Sequence, residues 1–80
     1  MKIERVIADY EHSGDLNYAK QRVKKEFPYA TNIEAWEERD HEAESEYVHE
    51  YGELDEPIYQ GYISFEVPEK YYKEVEDFWL

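Results

Sequence analysis

The stretch EAWEERDHEAESEYVHEYGELDE, residues 34–56, decides how many strands this chain forms. Eleven of its 23 residues are acidic and Arg39 is its only Lys or Arg, so it carries −10 of a net charge of −12. Any function assigned to the chain has to account for this concentration of carboxylates.

Both helix and strand patterns occur in and around this stretch. Its Glu and Ala content favours a helix, as do a Thr31-x-x-Glu34 capping box and the position of Gly52 just past a helix end. Its Trp, Tyr and Val residues, and the need of neighbouring strands for a partner, favour a sheet. We interpret residues 31–40 as a strand, and residues 43–51 remain either strand or helix.

Three aromatic residues bear on how firmly the stretch is held. Trp36, Tyr47 and Tyr51 carry rings large enough to pack on a hydrophobic core. We expect them to anchor the stretch to that core, so that its carboxylates are held in place.

The flanking segments alternate between strand and helix patterns. Residues 2–10 are rich in β-branched residues, and apolar side chains on both parities predict a central strand. Residues 16–27 place apolar residues along one stripe of an amphipathic helix, with Ser13 or Asp15 as its N-cap. Residues 58–67 show the clearest alternation and predict another strand.

A last helix is predicted to open at Pro68. Its inward-facing aromatic stripe is expected to consist of Tyr71, Tyr72, Val75, Phe78 and Trp79. The order β-α-β-(β)-β-α predicts one acidic α+β domain over residues 1–80, with a single-layer antiparallel sheet of three to four strands and two helices on one face. The other face of the sheet would be wet, acidic and rich in tyrosine.

Composition restricts where the protein acts. The chain has no cysteine, which excludes disulfides and favours a reducing compartment. Its first residues, MKIERVIADYE, carry early charges and no apolar run of signal-peptide length. No apolar stretch approaches the roughly 20 residues that a membrane span needs. We therefore expect a soluble cytoplasmic protein without membrane contact.

The net charge of −12 restricts the partner. Binding to phosphates is driven by Lys and Arg, so nucleic acid and anionic membranes are disfavoured as direct ligands. The natural partner is a basic protein surface, such as that of a nucleic-acid-binding protein or complex. The isolated glycines form no phosphate loop and the serines lie in no nucleophile motif, so we expect neither an enzyme nor a cofactor.

Two histidines among carboxylates give an alternative interpretation. Asp40, His41, Glu42 and His49 are ligand types for metals, but their spacing matches neither zinc sites nor EF-hand calcium loops. We therefore expect no metal site, and keep a carboxylate and His metal-binding or regulatory module as the alternative function, beside an acidic structural subunit. The oligomeric state is left open.

Charge spacing favours nucleic-acid mimicry. Whether residues 34–56 form a hairpin with arms of about 36 Å or a helix of about 35 Å, their charge is spread at about one per 3.5 Å. One strand of DNA carries one charge per roughly 3.4 Å. The candidate partner-binding residues are the acids of the stretch and two tyrosines: Glu34, Glu37, Glu38, Asp40, Glu42, Glu44, Glu46, Tyr47, Glu50, Tyr51, Glu53, Asp55 and Glu56.

The combination of small size, strong acidity, no cysteine and no catalytic motif is similar to that of phage-encoded inhibitors of host defence. These include anti-restriction and anti-CRISPR proteins. The similarity is one of composition over the whole chain, without a family motif matched residue by residue. It implies a non-enzymatic inhibitor in the host cytoplasm that docks a carboxylate-rich face into a basic groove normally occupied by DNA or RNA.

Overall fold

The computed structural model describes residues 1–79 as alternating strands and helices. The elements are β1 (Lys2–Ile7), α1 (Gly14–Glu26), β2 (Thr31–Arg39), α2 (His41–Tyr51), β3 (Tyr59–Glu66) and, after a 3₁₀ turn at Glu69–Tyr71, the short helix α3 (Tyr72–Val75). The predicted α+β architecture is confirmed, with three strands in the sheet. No helix in this described part of the chain is long and apolar enough to cross a membrane.

The three strands form one antiparallel sheet in the order β1-β3-β2. β3 is central, and β1 and β2 therefore run parallel to each other on either side of it. The prediction that residues 2–10 form a central strand is wrong, because β1 is an edge strand that ends at Ile7. Val6, whose apolar side chain suggested a second buried face, is 48% exposed.

The hydrophobic core lies between one face of the sheet, α1 and the segment around α3. It consists of Ile3, Ile7, Ala19, Val23, Phe27, Ile63, Phe65, Val67, Val75 and Phe78. The predicted stripe of α1 is confirmed, since Ala19 and Val23 are buried on it and Phe27, directly after its last residue, is buried as well. Phe27 also meets the Phe78 ring edge-on at 4.9 Å between centroids. The expectation that Trp79 faces inward is wrong, because its side chain is 69% exposed.

The loop before α1 is closed by Asp15 and not by a conventional N-cap. Ser13 occupies the N-cap position without a side-chain capping bond. Asp15 Oδ2 accepts hydrogen bonds from the backbone amides of Glu11 at 2.8 Å and His12 at 3.3 Å. These two bonds lower the pKa of Asp15. α1 begins at Gly14, two residues before the predicted start.

Residues 43–51, which the sequence left between strand and helix, lie in a helix. Asp40 ends β2 and caps α2, because its Oδ1 accepts the Ala43 amide at 3.0 Å. Gly52 ends the helix with a φ of 88°, a left-handed conformation that favours glycine. The Thr31-x-x-Glu34 capping box does not form, since both residues lie in β2.

The molecule is elongated, with principal extents of 49 × 21 × 15 Å. β2, the longest strand, has nine residues and spans about 30 Å at 3.3 Å per residue. α2 adds about 17 Å at 1.5 Å per residue. Placed end to end, these two lengths account for the 49 Å long axis, as expected if α2 extends beyond the end of the sheet.

Candidate partner-binding surface

The acidic stretch is divided among three parts of the fold. Residues 34–39 lie in β2, residues 41–51 form α2, and residues 52–58 return to the start of β3. We call residues 40–58 the acidic arm, because they contain eight Asp and Glu residues and no Lys or Arg. The arm accounts for −8 of the net charge of −12.

Hydrogen bonds between its two ends close the base of the arm. The Asp40 amide donates to the Ile58 carbonyl at 2.8 Å. The Ile58 amide in turn donates to Glu44 Oε2 at 2.9 Å. The seven residues 52–58 reach at most about 25 Å, so they have to run back along the roughly 17 Å of α2 to make these contacts.

Glu44 holds this base together. Of the residues of α2, all of which the structure describes, Glu44 alone is buried. Its Oε2 also accepts Arg39 Nε at 2.9 Å, and its Oε1 lies 3.4 Å from His41 Nδ1. The bonds from Arg39 and then Ile58 lower the pKa of Glu44, and the bond to Glu44 raises the pKa of Arg39. The expectation that Glu44 contacts a partner is therefore corrected, since its carboxylate serves the fold.

The outer side of the arm is a run of exposed carboxylates. Glu42, Glu46 and Glu50 follow one another at i+4, on one face of α2. All three side chains are exposed, as are those of the loop acids Glu53, Asp55 and Glu56. These acids all lie on the acidic arm, so they could contact a single partner surface together.

The opposite side of α2 carries aromatic side chains that are only partly covered. Tyr47 and Tyr51 have ring centroids 4.6 Å apart and are 41% and 64% exposed. Leu54 and Ile58 of the returning loop are half-buried and line a shallow depression of about 420 Å³ with Tyr47 and Pro57, and the acids Asp55 and Glu56 border it. The expectation that Tyr47 and Tyr51 anchor the stretch to the core is wrong, because its polar base holds the arm.

The acids of β2 fall on both faces of the sheet. Glu37 lies on the side of the core and accepts a hydrogen bond from the Tyr10 hydroxyl. Burial and then this bond raise the pKa of Tyr10 to about 12. Glu34 and Glu38 lie on the other face. The predicted site is therefore not one continuous surface.

We call the side of the sheet away from the core the open face. It carries the even-numbered residues of β1, of β3, and of β2 from residue 34 onward, after the irregularity in its register: Lys2, Glu4, Val6, Glu34, Trp36, Glu38, Gln60, Tyr62, Ser64 and Glu66. The expectation of an acidic second face is confirmed, but it holds one tyrosine and not several. Trp36 lies here and not in the core, so the expectation that it anchors the stretch to the core is also wrong.

The open face is ordered in rows across the strands. Val6, Tyr62 and Trp36 are aligned in register and form an apolar row. The Trp36 and Tyr62 rings are stacked, with centroids 5.9 Å apart and planes 20° from parallel. Glu4 and Glu34 flank Ser64 in the next row. Sequence reasoning did not select Val6, Tyr62 or Glu4, although the alternation of residues 58–67 already assigned Tyr62 to this face.

The proposed metal ligands do not converge. Asp40 caps α2, and His41 faces Glu44. Glu42 and His49 lie further along the exposed side of the helix. Within residues 1–79, no three His, Cys, Asp or Glu side chains form a group that could hold a metal ion.

Comparison with known proteins gives no match, whether with protein-family models, curated proteins or solved structures.

Proposed function

We propose that this protein is a non-enzymatic inhibitor that docks its acidic arm into a basic groove of a nucleic-acid-binding protein. The observation that carries the proposal is the arm: 19 residues with eight acids, no Lys or Arg, and an outer side of exposed carboxylates. Such a surface is repelled by nucleic acid and attracted to the Lys and Arg that neutralise phosphates.

The charge density of the arm supports mimicry of nucleic acid. Seven acids besides Glu44 share the roughly 17 Å length of α2, which is about one charge per 2.4 Å. This spacing lies between about 3.4 Å for one DNA strand and about 1.7 Å for the duplex. It is denser than the 3.5 Å expected from the sequence, because the loop doubles back beside the helix.

The arm also has the order that a mimic needs. Asp40 caps its helix, Gly52 ends it, and Glu44 bonds both the last residue of β2 and the residue directly before β3. Carboxylates held on an ordered backbone lose less conformational freedom on binding than those of a disordered tail. The mechanism is steric and electrostatic competition, of the type used by phage-encoded anti-restriction and anti-CRISPR inhibitors, in the host cytoplasm.

Affinity capture from a bacterial lysate, followed by competition with nucleic acid, tests the proposal. Immobilised protein should retain basic nucleic-acid-binding proteins. Raising salt should release them, because ion pairs are screened. Excess duplex DNA or RNA should also release them, because it competes for the same groove.

A charge-matched pair of variants identifies the surface responsible. Glu42→Gln, Glu46→Gln and Glu50→Gln together should abolish retention. The control neutralises three exposed acids outside the arm, Glu11→Gln, Glu69→Gln and Asp77→Asn, and should retain the partner. Retention that persists at high salt and in excess nucleic acid, or an equal loss of retention in both variants, would refute docking through the arm.

A further inference from the structure

We propose that the open face binds an arginine side chain of a basic partner. The aliphatic stem would lie on Val6 and Tyr62, and the guanidinium would stack on Trp36 beside the Glu38 carboxylate. This inference deepens the proposed function, since it rests on a basic partner, but it uses a surface separate from the arm.

The floor of this arginine site is the apolar row of the open face. Val6, Tyr62 and Trp36 line a shallow depression of about 350 Å³ together with Glu4 and Glu38. Val6 is 48% exposed, and Trp36 and Tyr62 are only half-buried although their rings stack on each other, so part of each side chain is available to a ligand. Aromatic rings attract cations over their faces within about 6 Å, and Trp does so best.

Carboxylates border the row on both sides. Glu34 and Glu38 lie two residues either side of Trp36 on β2, each about 6.6 Å away along the strand. Glu4 occupies the corresponding place beside Val6 on β1. A guanidinium over Trp36 would therefore be within reach of a carboxylate, and its planar fork suits both ring stacking and bidentate pairing.

Among the described residues, the cations near the site form no ion pair with its carboxylates. Arg5 lines the same depression, but its nitrogens donate to the backbone oxygens of Glu4, Glu76 and Phe78. Lys2 lies two rows from the apolar row, next to Glu66 in register. Arg5 keeps its positive charge, but the three carboxylates of Glu4, Glu34 and Glu38 outnumber it, so the border of the arginine site is net negative.

Charge selects arginine over the other ligands of an aromatic face. A nucleic-acid base could stack on Trp36, but platforms for bases lie in positive grooves, and this one is bordered by Glu. A second copy of the chain would bring another net charge of −12 to the contact. Arginine satisfies both the ring and the carboxylate.

The site is close enough to the arm to serve the same partner. Trp36 is three residues, or about 10 Å, from the end of β2 where the arm begins. One basic surface could therefore contact the arm and insert an arginine onto the open face.

Fluorescence of Trp36 tests the proposal directly. Trp79→Phe leaves Trp36 as the only tryptophan, and the exposure of Trp79 makes that change mild. Hexa-arginine and hexa-lysine peptides carry equal charge, so a difference between them reports stacking and not net charge. Hexa-arginine should change Trp36 emission saturably, and its Kd should be about two- to fivefold lower than that of hexa-lysine.

Variants locate the contact. Trp36→Leu, measured by calorimetry because it removes the fluorophore, should abolish most of the preference for hexa-arginine, and Glu38→Gln should weaken hexa-arginine binding more than Glu46→Gln on the arm does. Circular dichroism verifies the fold of each variant. Equal affinity for both peptides, or equal effects of Glu38→Gln and Glu46→Gln, would overturn the proposal. Quenching of Trp36 by an oligothymidylate, or by the protein's own concentration, would also overturn it, in favour of base stacking or self-association.

The two proposals fail separately. If hexa-arginine shows no preference but neutralising the arm still abolishes partner capture, the arginine site is wrong and the inhibitor function stands. If neutralising the arm leaves partner capture unchanged, but Trp36 fluorescence still shows tighter binding of hexa-arginine than of hexa-lysine, the arginine site stands and the inhibitor function is wrong.

Discussion

The charge pattern of α2 should make the arm less stable than it could be. Glu42, Glu46 and Glu50 are spaced at i+4, where like charges destabilise a helix by about 0.2–0.5 kcal/mol per pair and opposite charges stabilise it by a similar amount. Glu46→Lys converts two repulsions into two attractions. We therefore expect it to raise the free energy of unfolding by about 1 kcal/mol.

Urea denaturation followed by circular dichroism measures this gain. A change of about 1 kcal/mol corresponds to a rise in Tm of roughly 4–8 °C for a domain of this size. Glu46→Gln, which removes the repulsions without adding attractions, should give about half the effect. Asp77→Lys makes the same change in net charge outside the arm and should give little.

The same substitution should weaken capture of a basic partner. Glu46→Lys places a cation in the middle of the outer side of the arm, where the proposed groove supplies Lys and Arg. The free energy of unfolding would then rise while the affinity for the partner falls, a trade-off common at functional sites. A destabilised Glu46→Lys protein, or an equal gain from Asp77→Lys, would refute the reasoning about the helix. A more stable variant with unchanged capture would refute the role of the charge.

Three further substitutions test individual parts of the fold. Glu44→Gln should speed hydrogen exchange at the Ile58 amide and along α2 but not in the centre of β3, and unchanged rates would show that Glu44 does not hold the arm. Gly61→Ala would place a Cβ closer to Tyr10 Cδ1 than two carbons can approach, and should lower the free energy of unfolding in urea by about 1–3 kcal/mol. In a Tyr10→Ala background that cost should vanish, and an equal cost would contradict the clash. Burial is the main cause that raises the pKa of Tyr29 to about 12, above an unfolded value near 10. Stability should therefore fall as pH rises from 10 to 12, and Tyr29→Phe should flatten that fall.

Local patterns were enough to predict α1 and β3. The stripe of Ala19, Val23 and Phe27 follows the helical period and is buried as expected. The alternation of Ile63 and Phe65 with polar neighbours follows the period of a strand and places both in the core. In each case the signal lies within the element, so no distant contact had to be known.

The arm and the edge position of β1 depend on distant contacts. Glu44 is one of eleven acids in its stretch, and only the arrival of Ile58 beside it, 14 residues on, distinguishes it from the rest. Val6 and Trp36 suggested burial by residue type, yet they share an exposed row because β3 lies between their strands. Residue type alone does not report which face of a sheet a helix will cover.

The two proposed surfaces would contribute to binding in different ways. Charges on the arm act over a Debye length of about 8 Å at physiological salt, so they accelerate and orient the approach of a basic partner. The apolar row of the open face acts only at van der Waals distance, so it would slow dissociation once an arginine is bound there. Exposed ion pairs alone contribute little, commonly below about 1 kcal/mol each. Carboxylates alone would therefore bind fast and release fast, and Trp36 and Tyr62 would add short-range contact to that offered by the exposed Tyr47 and Tyr51 of the arm.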